Sequence, residues 1–261
     1  MDLGLTDTLA VVTGASRGIG LAITRTLADE GAIVVAAARH AGADLAELAG
    51  TGRVHPVEVD LSTSTGAAEL ASAATKFGTA ALLFNNVGGV TARLNGFADI
   101  SDEAWVATMN LDLLATIRVT RALLPGMLDA GAGSIVTISS VNAKLPDPTV
   151  MDYSAAKAAL TNFSKALSKQ VGAQGVRVNT ISPGPVATDL WLGAQGVART
   201  IAATAGGDPA DVARTVAERT VTGRFTRPQE VADLAVFLSS SRAENITGSD
   251  VVIDGGMITT L

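Results

Sequence analysis

Short runs rich in β-branched residues alternate along this chain with longer segments rich in alanine and leucine. That alternation narrows the fold more than any single motif. Strand-like runs fall at 9–13, 33–38, 54–59, 81–85, 134–139, 177–181 and 250–253. Several are apolar at every position, as strands buried between two helix layers must be. Helix-like segments fill most of the gaps, at about 18–30, 64–77, 101–130, 152–173 and 228–240. One of them opens at Ser101-Asp102-Glu103, a capping residue followed by acids in the first turn. Strand, helix, strand in regular succession predicts an α/β, doubly wound, three-layer sandwich around a central parallel sheet of about seven strands. With 261 residues and 48% hydrophobic content, the chain is sized for one domain spanning 1–261. One stretch breaks the rhythm. Residues 188–224 are helical in composition, lack a clear strand, and carry the turn Gly206-Gly207-Asp208-Pro209. A long insertion after a strand in such a fold predicts a lid over a site.

Composition excludes several classes of function. Nineteen lysines and arginines against 25 aspartates and glutamates leave a net charge of -6, the wrong sign for neutralising nucleic-acid phosphates. The absence of cysteine removes disulfides, thiolate catalysis and cysteine-based metal sites. The two histidines, His40 and His55, do not follow a ligand pattern, and no metal site is expected. The first residues lack the basic and apolar regions of a secretory signal, and runs such as 32–38 are too short to span a bilayer. The expectation is a soluble, cytoplasmic protein without a membrane or nucleic-acid partner.

The first strand-like run passes directly into Thr13-Gly14-Ala15-Ser16-Arg17-Gly18-Ile19-Gly20, and a helix follows. Glycines at a strand-to-helix junction allow a tight turn and let backbone N–H groups approach a pyrophosphate. In dinucleotide folds an acid about 20 residues further on holds the ribose of NAD, whereas an arginine suits the 2′-phosphate of NADP. Here the second run ends Ala37-Ala38-Arg39-His40, without an acid. Arg39 stands at the expected place and Arg17 is within the turn, so NADP(H) is favoured over NAD(H).

The chain has one tyrosine, Tyr153, and Lys157 follows it by four residues. Just over one helical turn separates them, so phenol and ammonium share a helix face. A nearby cation favours the phenolate and lowers the phenol pKa, which otherwise lies near 10. Such a phenol can exchange a proton with a substrate oxygen. Ser140, upstream, offers a hydroxyl to an oxygen that gains charge.

Taken in order, these motifs resemble those of the short-chain dehydrogenase/reductase family over nearly the whole chain. They are Thr13–Gly20, Asp60, Asn85-Asn86-Val87-Gly88, Asn110, Ser140, the Tyr153/Lys157 pair, Pro183-Gly184-Pro185-Val186-Ala187-Thr188, and Asp254-Gly255-Gly256 after the final run. The resemblance implies a Rossmann-like fold, an NAD(P)-dependent oxidoreductase acting on a carbonyl or secondary alcohol, and a homotetramer. It implies that Tyr153 is the general acid in reduction and the base in oxidation. Ser140 would polarise the substrate oxygen, and Lys157 would bind the nicotinamide ribose and depress the phenol pKa. Asn110 would anchor a water linking Lys157 to solvent. On the cofactor side it implies contacts from Gly14, Ser16, Arg17, Gly18, Ile19, Gly20 and Arg39. Asp60 and Leu61 would lie at the adenine, and Asn86 and Gly88 at the adenosine ribose. Pro183, Gly184, Val186 and Thr188 would seat the carboxamide. One position departs from the family's usual pattern: Val87 stands where alanine is common.

The substrate is less legible. Candidate wall residues are Val141, Asn142, Leu145, Pro146, Met151, Val186, Leu190, Trp191 and Leu192, mostly apolar. They favour a small to mid-sized, fairly apolar ketone or alcohol. Trp191 either stacks on a substrate ring or packs the lid, and Arg93 either meets an anionic substrate or is a solvated surface residue. The alternatives in function are a 3-oxoacyl-(acyl carrier protein) reductase-like enzyme, a non-catalytic dinucleotide-binding module, and an epimerase or dehydratase. Ala155, Ala158, Ala159 and Ala166 permit close helix approach, either across an interface or within one subunit.

Overall fold

The computed structural model describes residues 2–260. The chain runs β1 (Leu9–Thr13), α1 (Gly18–Asp29), β2 (Ile33–Ala38), α2 (Gly42–Ala49), β3 (Val54–Glu58), α3 (Gly66–Ala74) and β4 (Leu82–Asn85). It continues through α4 (Asp102–Met109), α5 (Ala115–Ala130), β5 (Gly133–Ile138), α6 (Met151–Val171) and β6 (Val176–Pro183). The last elements are α7 (Asp189–Leu192), α8 (Val197–Ala205), α9 (Pro209–Glu218), α10 (Pro228–Ser239) and β7 (Asp250–Ile253). All seven strands pair in parallel, in the order β3-β2-β1-β4-β5-β6-β7. The expected sheet, its seven strands and its helix layers are present, with strand boundaries shifted by at most two residues.

Alternation along each strand feeds two separate cores. Ala10, Val12, Val34 and Phe84 face α1, α2 and α10, where they meet Ile23, Leu27, Leu45 and Val236. Leu9, Val11, Val35 and Leu83 face the other way, onto Leu70 of α3, Val119 and Met127 of α5, and Leu167 and Val171 of α6. A strand apolar on both faces is stable only between two such layers. β3 contains Pro56, which has no N–H to donate, and it takes the sheet edge, where proline is tolerated.

Two features differ from expectation. The segment 101–130 is not one continuous α-helix: a π-helical turn at Asn110–Leu114 separates α4 from α5. The short helix α2, capped by Ala41 without a side-chain bond, has no signal at its start that a sequence reading can use. The irregular stretch after β6 folds as α7, α8 and α9. Its neck is closed where Val186 bridges Thr226, with Thr226 N–H donating to Pro185 and Ala187 N–H donating to Thr226. Among the described residues, no helix is long and apolar enough to cross a membrane.

Candidate active site

The strand order reverses between β1 and β4, and the carboxyl ends of these strands open into a cleft of about 1100 Å³. Ligands bind at such switch points in open α/β sheets. The glycine turn forms one wall. Gly14 and Gly18 hold φ values of 65° and 57°, in the left-handed region. A Cβ on Gly20 would stand 2.2 Å from the Gly14 carbonyl oxygen and 2.5 Å from Asn86 Nδ2. Asn86 explains this tightness: its amide donates to the carbonyls of Thr13 (3.0 Å) and Gly14 (3.1 Å). Thr13 Oγ1 in turn accepts the N–H groups of Asn86 and Val87. Asn86 therefore clamps the turn.

α1 starts beside this turn with Arg17 at its N-cap and no side chain capping it. Its first N–H groups are left for an anion. Arg17 and Arg39 are exposed and line the same cleft as Asp60, Leu61 and Ser62. The Ser62 hydroxyl and N–H hold the Asp60 carboxyl below its usual range, with a smaller pull from Arg39. An uncapped helix N-terminus, a glycine cradle that a Cβ would fill, and two exposed arginines lining the cleft fit a dinucleotide.

The opposite wall is built by α6 and the end of β5. Asp152, buried at the start of α6, accepts the Tyr153 N–H, the Thr108 hydroxyl and two guanidinium bonds from Arg93, at 2.6 and 3.1 Å. Burial alone would raise the Asp152 pKa; these donors lower it overall. Arg93 is thus the partner of a buried carboxylate, which fixes where Tyr153 begins. Lys157 is buried, donates to the Ile138 carbonyl at 3.0 Å, and lies 5.5 Å from the centre of the Tyr153 ring. Ser140 accepts the Asn142 N–H and lines the cleft with both residues.

The phenol differs from the expectation of a lowered pKa. Desolvation pushes it up, the Asp112 carboxylate adds to the rise, and the Ser140 hydroxyl partly offsets them. Burial lowers the Lys157 pKa, against the pull of Asp112.

Asn110 stands at the start of the π turn and lines the cleft. Its amide donates to the Ser62 carbonyl at 2.6 Å and accepts from Arg118 at 2.7 Å. It ties the π turn to the wall beside Asp60, and both ends of its amide are engaged. The polar side chain beside Lys157 is Asp112, 1% exposed, with Oδ1 at 3.9 Å from Nζ. Two residues apart on a helical turn point to nearly opposite sides, so one turn serves both ends of the cleft. Asp112 has no sequence signal, because the π turn that sets its direction is not written in residue type.

Pro183, Gly184, Val186 and Thr188 all line the cleft. Gly184 N–H donates to the Ile253 carbonyl, and a Cβ on Gly184 would lie 2.9 Å from Asp254. Thr188 packs on the glycine turn, 3.2 Å from where a Gly18 Cβ would stand. Of the candidate substrate-wall residues, Val141, Asn142, Val186, Leu190 and Trp191 line the cleft. Leu145 and Leu192 are exposed instead. Trp191 packs edge-on against Phe225, with ring centres 5.7 Å apart. Polar residues the sequence reading missed, Asp147 and Thr149, also line it, together with Asp208, Asp211 and Arg219 of the α8–α9 segment.

Comparison with known proteins agrees with this geometry. A family model described as enoyl-(acyl carrier protein) reductase matches residues 14–258. D-threitol dehydrogenase of Mycolicibacterium smegmatis is 37% identical over 265 residues, covering 98% of this chain and 94% of that protein. The 3-oxoacyl-(acyl-carrier-protein) reductase of Vibrio harveyi is 33% identical, with 98% of this chain and 99% of that protein covered. Among solved structures, L-sorbose reductase from Gluconobacter frateurii, complexed with NADPH and L-sorbose, superposes with a TM-score of 0.92 at 37% identity, over 100% of both chains. With the fold, the cleft and the full-length likeness in agreement, this chain belongs to the short-chain dehydrogenase/reductase family, as an NAD(P)-dependent oxidoreductase.

Proposed function

We propose that the chain interconverts a small polyhydroxylated ketone and its secondary alcohol with NADP(H), Tyr153 giving the proton in reduction. The observation that carries this reading is the position of the only tyrosine, beside Lys157 and Ser140, across the cleft from the glycine turn. NADPH, when bound, supplies the hydride that adds to the carbonyl carbon. Ser140 donates a hydrogen bond to the oxygen as negative charge grows on it. Tyr153 transfers its phenolic proton to that oxygen, completing the hydroxyl. Lys157 stabilises the phenolate left behind until a proton returns from solvent.

The polar groups around the reacting centre favour hydroxylated substrates. Asn142, Asp147 and Thr149 line the same cleft as Ser140 and Tyr153, and Asn142 N–H donates to the Ser140 hydroxyl. A wall built to hydrogen-bond hydroxyls rejects an analogue that lacks them more strongly than an apolar wall rejects an added hydroxyl. Relatives named for L-sorbose and D-threitol support this choice over the apolar ketone. The relatives named for 3-oxoacyl carrier substrates support a second reading, but Asp189 and Asp208 lining the cleft disfavour the phosphate of such a carrier arm.

The test is NADPH consumption with a ketohexose, an apolar ketone of matched size and a 3-oxoacyl thioester. The ketohexose should rank first, and Tyr153→Phe should reduce turnover by about 10³-fold. An apolar ketone ranking first, or a Phe variant with undiminished turnover, refutes the reading. Arg39→Ala should raise the KM for NADPH by about tenfold and leave that for NADH unchanged, as expected for one charge-assisted phosphate contact. An equal effect on both cofactors removes Arg39 from the 2′-phosphate.

A further inference from the structure

The group beside the proton-transferring pair is a buried acid. Asp112 sits in the π turn with Oδ1 accepting the Gly89 N–H at 3.1 Å and standing 3.9 Å from Lys157 Nζ. The site is built closely around it. A Cβ on Gly88 would lie 2.6 Å from Asp112 Oδ1 and 3.4 Å from Lys157 Nζ. Backbone without a side chain is what lets the acid and the amine share this space.

Three helical elements pack on the π turn. From α6 come Lys157, Tyr153 and Asp152, the last paired with Arg93 and bonded by Thr108. From α5 comes Arg118, turned onto Asn110. From α4, Asp102 and Glu103 lie in the exposed first turn. Lys157 is thus the cation facing Asp112, and the strand-end loop contributes the Gly89 N–H.

We propose that Asp112 is a positioning group for proton transfer: its carboxylate offsets the Lys157 ammonium and keeps the Tyr153 phenol protonated. This rests on Tyr153 and Lys157 acting as read above. A lone buried ammonium draws the phenol toward phenolate. An ammonium paired with a buried carboxylate does so much less, because ionising the phenol would then place two negative charges around one positive charge. The site therefore holds the proton it gives in reduction, and it takes up a proton from an alcohol only at higher pH. Burial raises Asp112 to about 6, with Lys157 and the Gly89 N–H pulling it back and Asp152 adding slightly. The carboxylate is accordingly charged at neutral pH, and its restraint on the phenol weakens in mild acid.

The single tyrosine makes this directly measurable, since the ultraviolet absorbance of tyrosinate reports Tyr153 alone. Titration of wild type and Asp112→Asn, each with and without NADP⁺, should show tyrosinate appearing about 1 pH unit lower in the variant. Tyr153→Phe supplies the blank. The alkaline limb of alcohol oxidation should move the same way, giving the variant more oxidation relative to reduction at neutral pH. Asp112→Ser, which also removes the charge, supplies the same reading if the amide variant does not fold. Tyrosinate appearing at the same or a higher pH in the neutral variants overturns the proposal, because a purely structural role changes stability without moving the phenol. The titration does not depend on the substrate. A lowered phenol with no ketone turned over supports the electrostatic role and counts against the proposed function alone.

Discussion

Two turns pack against the strand-end segment 86–89, and each brings groups closer than regular structure allows. At the β1–α1 junction, Gly14, Gly18 and Gly20 let the chain fold onto itself, and Asn86 fastens it. At the α4–α5 junction, the π turn sets Asp112 toward Lys157 and Asn110 toward Ser62 and Arg118. The first turn is packed backbone against backbone. The second sets a side-chain carboxylate against an ammonium. Rigidity at the glycine turn comes from missing side chains, whereas the electrostatics around Lys157 and Tyr153 come from one helical residue turned inward.

Paired glycine substitutions test this contrast most strongly. In Gly20→Ala the new methyl meets the Gly14 carbonyl, a backbone group that cannot rotate away. A loss of about 4 kcal/mol or more in unfolding free energy is expected, measured by denaturant titration. In Gly88→Ala the methyl meets the end of a carboxylate side chain, which can swing, so about 1–2 kcal/mol is expected. Equal losses in the two variants would mean that the π turn is as rigid as the glycine turn.

The same contrast explains what could be read in advance. Seven strands and their parallel sense follow from apolar periodicity and the strand-helix alternation, because the sheet is buried on both faces and each strand needs two cores. The glycine turn and the Tyr153/Lys157 pair are legible because each depends on residue type at fixed spacing. Asp112 is not. It lies on a continuous helical pattern, and a π turn changes which residue points inward without any glycine or proline to mark it. Arg93 is similar. Its role depends on Asp152, 59 positions away, and nothing local distinguishes it from a surface arginine. The cleft wall looks apolar in the sequence because Asp147 and Thr149 line it from a short 3₁₀ turn that no residue spacing announces.

The last prediction asks whether the buried acid is kept at a cost in stability. A carboxyl ordinarily titrating at 3.8 and raised to about 6 by burial binds its proton more tightly in the folded chain than in the unfolded one. For such a group stability is greatest where both states are protonated, falls as pH rises from about 4 to about 6, and is level above that. Wild type therefore gives up on the order of 2–3 kcal/mol across this interval through Asp112, each pKa unit being worth about 1.4 kcal/mol. Asp112→Asn has no proton to lose. It should be more stable than wild type by about that amount at pH 7, with the difference vanishing near pH 4, as measured by denaturant midpoints at the two values. Paired carboxylates elsewhere act with the opposite sign: Glu230, bonded by Arg224 and held far below its usual range, lends stability that is lost in acid. Glu230 is unchanged in Asp112→Asn, so the difference between the two proteins isolates the buried acid. A variant less stable than wild type at pH 7 would show that the Lys157 attraction outweighs the burial of the charge, making Asp112 part of the fold's support rather than a strain retained for proton transfer.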